Sequence, residues 1–259
     1  ASKVSLPVYL SAGLPIITPS ATNPALNDLG KSIFHRIVLT DDYQGPAAAR
    51  MIIANNKKAT VFLVDDASDY GVGLKKSIDA ALAGRVVGTD TTPSSTEDFS
   101  ATIAKIKSSG ANVVIYTGYY TAAALFIKQL RSDTSLKNVI FAGGDGVLNK
   151  EFINLAGSSS EGARLTGQAT LADANPKVAA AYKAANGKDA GIYAVETYDA
   201  TTMFLQAINA GNTTRASILK YIKATTFKGI GGATYAFTAN GDIKEGGFTS
   251  YSNSSELVE

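Results

Sequence analysis

Short apolar runs alternate along this chain with longer stretches whose apolar residues fall at helical spacing. KATVFLVDD, NVVIYTG and NVIFAGG show little apolar–polar alternation, the habit of strands covered on both faces. IFHRIVLT reads as another strand, and RVVG as a brief one. Between them, TDDYQGPAAARMIIANN opens a helix with Asp41 and Asp42 at its positive end. YGVGLKKSIDAALAG gives a helix stopped by Gly84. In TTPSSTEDFSATIAKIKSSG, Ser95 with Asp98 three residues on resembles a capping box, and Phe99, Ile103 and Ile106 keep the spacing of a buried helix face. YYTAAALFIKQLRSD and GVLNKEFINLAG are the next helices. Strands alternating with helices at this interval predict an α/β fold on a doubly wound parallel sheet.

The two ends of the chain read differently. SLPVYLSAG predicts a helix stopped at Gly13, and LPIIT after it a short buried strand through Leu14, Ile16 and Ile17. Pro19 and Pro24 bracket Ser20, Ala21, Thr22 and Asn23, so this strand ends in a polar turn whose amides lack ladder partners and can face a ligand oxygen. After EGARLTG come the Ala-rich helices NPKVAAAYKAANG and YAVETYDATTMFLQAINAG, then RASILKYIKATTF. GGATYAFTANGDI predicts a β-pair turned by Asn240-Gly241, and FTSYS a last strand.

Composition narrows the function. With 259 residues, 45% hydrophobic and 18% charged, the chain can bury a sizeable core as one large domain or two lobes. A net charge of +2 gives no basic stripe for nucleic acid. No apolar run reaches the roughly 18 residues a membrane span needs. No signal segment opens at Ala1, so any export signal is expected to have been removed already. The absence of cysteine excludes disulfides, thiolate chemistry and cysteine-ligated metals. The single histidine, His35, lies where strand alternation with Phe34 turns it outward.

The candidate chemistry lies just past the strands' carboxyl ends, the ligand edge of open α/β sheets. Past LPIIT come Ser20 and Thr22; past FHRIVLT, Asp41; past VFLVDD, Tyr70; past NVVIYTG, Tyr119; past NVIFAGG, Asp145. Hydroxyls suit a carboxylate, aspartates suit an ammonium, and tyrosines give apolar walls with a polar tip. Together they describe a cleft for a small zwitterion. Taken singly, rim tyrosines and a helix-start aspartate account for the same residues, and the Asp-Gly of GGDG also suits a plain turn.

AGLPIITPSATNPAL, TDDYQGPAAA, DYGVGL, DFSATIAKIK, TGYYTAAAL, GGDGVLN and ANGDIKEGG, in this order, resemble the branched-chain amino acid binding proteins of bacterial ABC importers, two-lobed type I periplasmic binding proteins. The resemblance implies two doubly wound α/β lobes, residues 1–39 with 168–246 and residues 40–167 with 247–259, closing on an amino acid held between them. It places Ser20, Ala21 and Thr22 at the ligand's carboxylate and ammonium, through the Ser20 carbonyl and Thr22 hydroxyl. It makes Asp145 the acidic partner of the ammonium, with Asp41 beside it, and Tyr70, Tyr119 and Tyr193 the walls of the side-chain pocket. Leucine-type members usually carry Glu at the position of Asp145, so the shorter acid leaves the ligand open among small amino acids. The resemblance also implies a membrane permease as partner, a periplasmic or extracellular location, and no cofactor, metal or catalytic residue.

Members of that family begin with further strand–helix units before the segment that Ala1 opens. The expectation is therefore a first lobe incomplete in this chain, the missing N-terminal part having been cleaved, supplied as a separate chain or omitted. Two other functions share the architecture. A ligand-sensing domain of a receptor or regulator has this fold but needs a fused helix-turn-helix or membrane span. For an α/β enzyme acting on an amino acid, YGVGLKKS resembles a dinucleotide fingerprint, yet Lys76 replaces its third glycine, and no nucleophile accompanies His35.

Overall fold

A computed structural model of the chain describes residues 2–244 and 249–252. The chain divides into two compact units: Ala1–Thr40 with Gln168–Gly247, and Asp41–Gly167 with Phe248–Glu259. The expected last crossing between lobes, at 246–247, lies outside the described residues.

The first unit opens with helix α1 (Ser2–Ser11), which buries Leu6 and ends before Gly13 at φ +60°. Strand β1 (Ile16–Thr18) is shorter than its apolar run, and Leu14 lies exposed ahead of it. After the short helix α2 (Leu26–Gly30), strand β2 (Phe34–Arg36) pairs in parallel with β1, Ile17 opposite His35. His35 does not face outward. Phe34, His35 and Arg36 are all buried, so both faces of β2 are covered and alternation has no solvent side to select. The imidazole meets Phe237 edge-on at 4.8 Å, and burial, with Lys223 adding to it, lowers its pKa to about 4.

The second unit then runs α3 (Asp41–Asn55), β3 (Val61–Asp65), α4 (Asp69–Ala81), β4 (Val86–Thr91), α5 (Ser100–Ser109), β5 (Val113–Thr117), α6 (Tyr120–Ser132), β6 (Ile140–Gly143), α7 (Lys150–Ala156) and β7 (Arg164–Gly167). These strands pair in parallel in the spatial order β4, β3, β5, β6, β7. Their side chains serve two cores. Val61, Leu63, Val113 and Ile115 pack with Ile52 of α3 and Leu74 and Ile78 of α4. The alternate residues Phe62, Val64, Val114 and Tyr116 pack with Ile106 of α5, Phe126 and Leu130 of α6 and Phe152 of α7. Helices on both faces of a parallel sheet explain why these strands read as unbroken apolar runs. Each such side chain contributes about 1.5–3 kcal/mol by leaving water.

Two helix starts contrast. Ser68 caps α4, its hydroxyl accepting the Gly71 N–H at 2.9 Å. Ser95 caps nothing: α5 starts five residues later, and Asp98 instead accepts the Ser100 N–H at 2.9 Å in a local turn. Phe99 and Ile106 are nevertheless buried in the core as their spacing predicts.

Back in the first unit come α8 (Leu171–Ala174), α9 (Pro176–Asn186), α10 (Ala194–Asn209), α11 (Arg215–Ala224), β8 (Phe227–Lys228) and β9 (Thr234–Tyr235). β8 and β9 form an antiparallel pair turned by the glycine-rich stretch 229–232. The turn expected at Asn240-Gly241 forms as well: Phe237 bridges Ile243 antiparallel, the Thr238 N–H donates to the Asp242 carbonyl at 2.8 Å and the Lys244 N–H to the Ala236 carbonyl at 3.0 Å, while the Gly241 carbonyl accepts the Arg36 N–H at 2.8 Å and docks the turn on β2. The final strand, β10 (Thr249–Ser252), joins the second unit's sheet antiparallel to β7 at one edge. The fold is thus α/β, with one antiparallel strand on an otherwise parallel sheet.

Candidate ligand-binding residues

The strand order of the second unit fixes where its polar groups gather. From β3 the chain crosses to β4 on one side, then returns past β3 to β5 and continues through β6 on the other. The carboxyl ends of β3 and β5 therefore diverge at a topological switch point, where open α/β sheets bind small molecules. Tyr70 follows β3, Tyr119 follows β5 and Asp145 follows β6. The Tyr70 and Tyr119 rings lie 5.3 Å apart, and the Tyr70 hydroxyl donates to Asp145 Oδ1 at 2.8 Å while accepting the Gly146 N–H at 3.0 Å.

Glycine permits this approach. A Cβ on Gly146 would stand 2.5 Å from the Gly118 carbonyl oxygen and 2.8 Å from the Tyr70 ring. One on Gly144 would stand 2.7 Å from the Tyr70 hydroxyl. The GGDG turn thus lets an aspartate and a tyrosine meet where any side chain would part them.

The cluster is acidic. Tyr119 is about half exposed, and partial burial together with the carboxylates of Asp66, Asp145 and Asp41 pushes its phenol above the ordinary value, so it remains a donor. Asp41 is buried at the start of α3, its main-chain carbonyl accepting the Ser77 hydroxyl at 2.7 Å. Asp66 and Gln44 are two further polar groups that the strand-end pattern does not single out. Asp66 is buried, accepts the Ser68 N–H at 3.0 Å through Oδ1, and has no partner for Oδ2 among the described residues. Gln44, one turn along α3 from Asp41, donates to Thr166 Oγ1 at 3.2 Å and leaves its own Oε1 without a partner among the described residues. The signal for Asp66 was the doubled aspartate ending VFLVDD. Its neighbour Asp65 serves the fold: burial works against its charge, but Lys75, the Ala67 N–H and the Thr91 hydroxyl hold its carboxyl below the ordinary value.

In the first unit, the turn after β1 is ordered differently from expectation. The N–H groups of Ser20 and Ala21 do not face outward for a ligand; they turn back to Thr18 Oγ1 at 3.4 and 3.0 Å. Thr22 is 1% exposed, and its hydroxyl has no hydrogen-bond partner among the described residues. Tyr193, at the start of α10, holds the left-handed conformation at φ +66°. An aromatic residue there stores about 1–3 kcal/mol of strain, a cost tolerated where the ring's position matters.

The described residues contain no group of three or more His, Asp or Glu side chains able to hold a metal, and no helix long and apolar enough to cross a membrane. What the second unit presents is an acidic, tyrosine-walled cluster at the switch point of a parallel α/β sheet, the arrangement of α/β binding domains. The chain belongs to the periplasmic binding protein family, whose model matches residues 1–248. It is 31% identical over 252 residues to a leucine-, isoleucine-, valine-, threonine- and alanine-binding protein of Pseudomonas aeruginosa, covering 94% of this chain and 66% of that protein. Among solved structures, it matches a leucine binding protein, LivK, of Thermotoga maritima with a TM-score of 0.87 and 25% identity, over 100% of this chain and 76% of that one. It matches the branched-chain amino acid transporter substrate-binding protein LivJ of Streptococcus pneumoniae, solved in complex with isoleucine, with a TM-score of 0.84 and 25% identity, over 99% of this chain and 74% of that one. The fold is that of type I periplasmic binding proteins, and the chain spans about two thirds of the length of the curated relatives it matches.

Proposed function

We propose that this chain is the extracytoplasmic substrate-binding component of an ABC importer, which captures a small amino acid reversibly and delivers it to a membrane permease. The observation that carries the proposal is the Tyr70–Asp145 pair beside Tyr119 at the sheet's switch point, in a chain whose relatives are named as binders of branched-chain amino acids, threonine and alanine. Asp145, with Asp41 and Asp66 nearby, offers negative charge to an ammonium; the tyrosine rings offer apolar walls to a short side chain. In the first unit, Ser20 and Thr22 are the candidate partners for polar atoms of a ligand, the Thr22 hydroxyl having its bonding capacity free for one. Tyr193 is the first unit's candidate aromatic contact. The cycle involves binding alone, and the permease recognises the ligand-bound form because the ligand favours whichever state it binds better.

The test is calorimetric titration with each proteinogenic amino acid in turn, with recovery of the ligand afterwards. Saturable heat with a small aliphatic or hydroxylated amino acid, recovered chemically unchanged, is the expected result. Heat from none of them overturns the proposal, and conversion of the ligand replaces it with an enzyme of the same architecture.

A further inference from the structure

Arg36, the last residue of β2, is fully buried, at 0% exposure. A guanidinium stays charged and cannot be buried without partners. Its partners are specific. Nε donates to Asp242 Oδ1 at 2.9 Å, Nη2 donates to Asn27 Oδ1, and Nη1 donates to the main-chain carbonyls of Ala21 at 2.9 Å and Asn23 at 2.8 Å. The two carbonyls flank Thr22 in sequence, so one nitrogen grips the turn on both sides of the residue whose buried hydroxyl has no partner among the described residues.

We infer that Arg36, anchored by Asp242 and Asn27, is the positioning residue that holds the Thr22 hydroxyl in its ligand-binding orientation. The inference rests on the amino-acid-binding reading for its ligand but on the first unit's own geometry for its mechanism. A turn held only by the Thr18 hydroxyl could rotate its peptide units. With both carbonyls directed at one planar fork, the 21–22 and 23–24 peptides that bracket the Thr22–Asn23 step are fixed before ligand arrives, which removes an ordering cost from binding. Lysine cannot substitute, because a single ammonium cannot reach two carbonyls, an amide and a carboxylate in this forked arrangement.

The experiment is a double-mutant cycle of Arg36→Lys and Thr22→Val, reading the dissociation constant of the amino acid that binds the wild type, with thermal unfolding alongside. Each single variant weakens binding by about tenfold or more. If Arg36 acts through Thr22, Arg36→Lys costs no further affinity in the Thr22→Val background, although it lowers the melting temperature equally in both. Equal affinity losses in both backgrounds, or none in either, overturn the inference. If Arg36→Lys fails to fold, Asn27→Ala removes one anchor and enters the same cycle. Amide hydrogen exchange over residues 20–23 of the ligand-free protein gives a separate readout: the clamp requires faster exchange there in the variant, with α11 unchanged. Should no amino acid bind the wild type, the functional reading falls while exchange still decides the clamp.

Discussion

The Tyr70 hydroxyl donates to the Asp145 carboxylate across 2.8 Å, joining the ends of β3 and β6 over the intervening β5. This bond orients the carboxylate, and the Gly146 N–H donating to the same hydroxyl orients the phenol. Removing the tyrosine hydroxyl therefore frees the acid without discharging it, while Asp145→Asn removes the charge and keeps the shape. Tyr70→Phe is expected to weaken ligand binding by about tenfold and Asp145→Asn by more, since bonds to charged groups are worth about 1.5–3 kcal/mol. Calorimetry on both variants checks the order; an Asp145→Asn protein binding as tightly as wild type sinks the assignment of the acid to the ammonium.

Gly146 offers a way to disturb the pair without touching either member. An added methyl would sit 2.5 Å from the Gly118 carbonyl, a main-chain atom that cannot swing aside. Gly146→Ala is expected to cost about 1–3 kcal/mol as overpacking and to displace Tyr70 from Asp145. Denaturant unfolding reads the first effect and loss of ligand affinity the second. Unchanged affinity would show that the Tyr70–Asp145 contact is not needed for binding.

The sheet of the second unit could be read from sequence because its physics is local: strands buried on both faces must be apolar throughout, and Phe99 and Ile106 had to share a helix face. The residues past the strand ends followed from the same alternation of strand and helix. What escaped depended on partners far along the chain. His35 faces inward because Phe237 covers it, and Arg36 is buried because Asp242 and the carbonyls of Ala21 and Asn23 satisfy it. Nothing in FHRIVLT announces those partners. Nor does the Asn240-Gly241 signal, which rightly marks a turn, announce that this turn docks on β2 through the Gly241 carbonyl and the Arg36 N–H. Ser95 and Asp98 carried a cap signal at the right spacing, but the turn accepting the Ser100 N–H delayed the helix.

Tyr193 separates backbone strain from ring contact. Glycine enters the left-handed region freely, so Tyr193→Gly relieves the strain at φ +66° while raising the entropy of the unfolded chain. These effects oppose each other, and stability is expected to stay within about 1 kcal/mol of wild type. If the ring walls the ligand pocket, affinity falls by about tenfold or more with little change in melting temperature, because a large aromatic surface is lost. Affinity retained with stability retained would remove Tyr193 from the site.

Two buried groups give the first unit opposite responses to pH. His35 titrates near 6.5 when unfolded and near 4 when folded, because burial, with Lys223 second, disfavours its charge. As pH falls from 6.5 towards 4, the unfolded chain takes up a proton that the folded chain refuses, so stability drops by up to about 3 kcal/mol. Glu196, on α10, is pushed up to about 7 chiefly by burial, with the Asp199 charge adding to it. As pH rises from 4.5 towards 7, the folded chain retains a proton that the unfolded chain loses, and stability drops again by up to about 3 kcal/mol. The slopes oppose each other across the weakly acidic range, so the wild-type melting temperature is expected to vary little there. Single variants uncover each slope. Glu196→Gln leaves only the acid-side loss, so its melting temperature rises steadily from pH 5 to 7, whereas His35→Gln leaves only the other and falls by several degrees over the same range. Melting curves of the three proteins that stay parallel from pH 5 to 7 would show that neither group titrates as its burial requires.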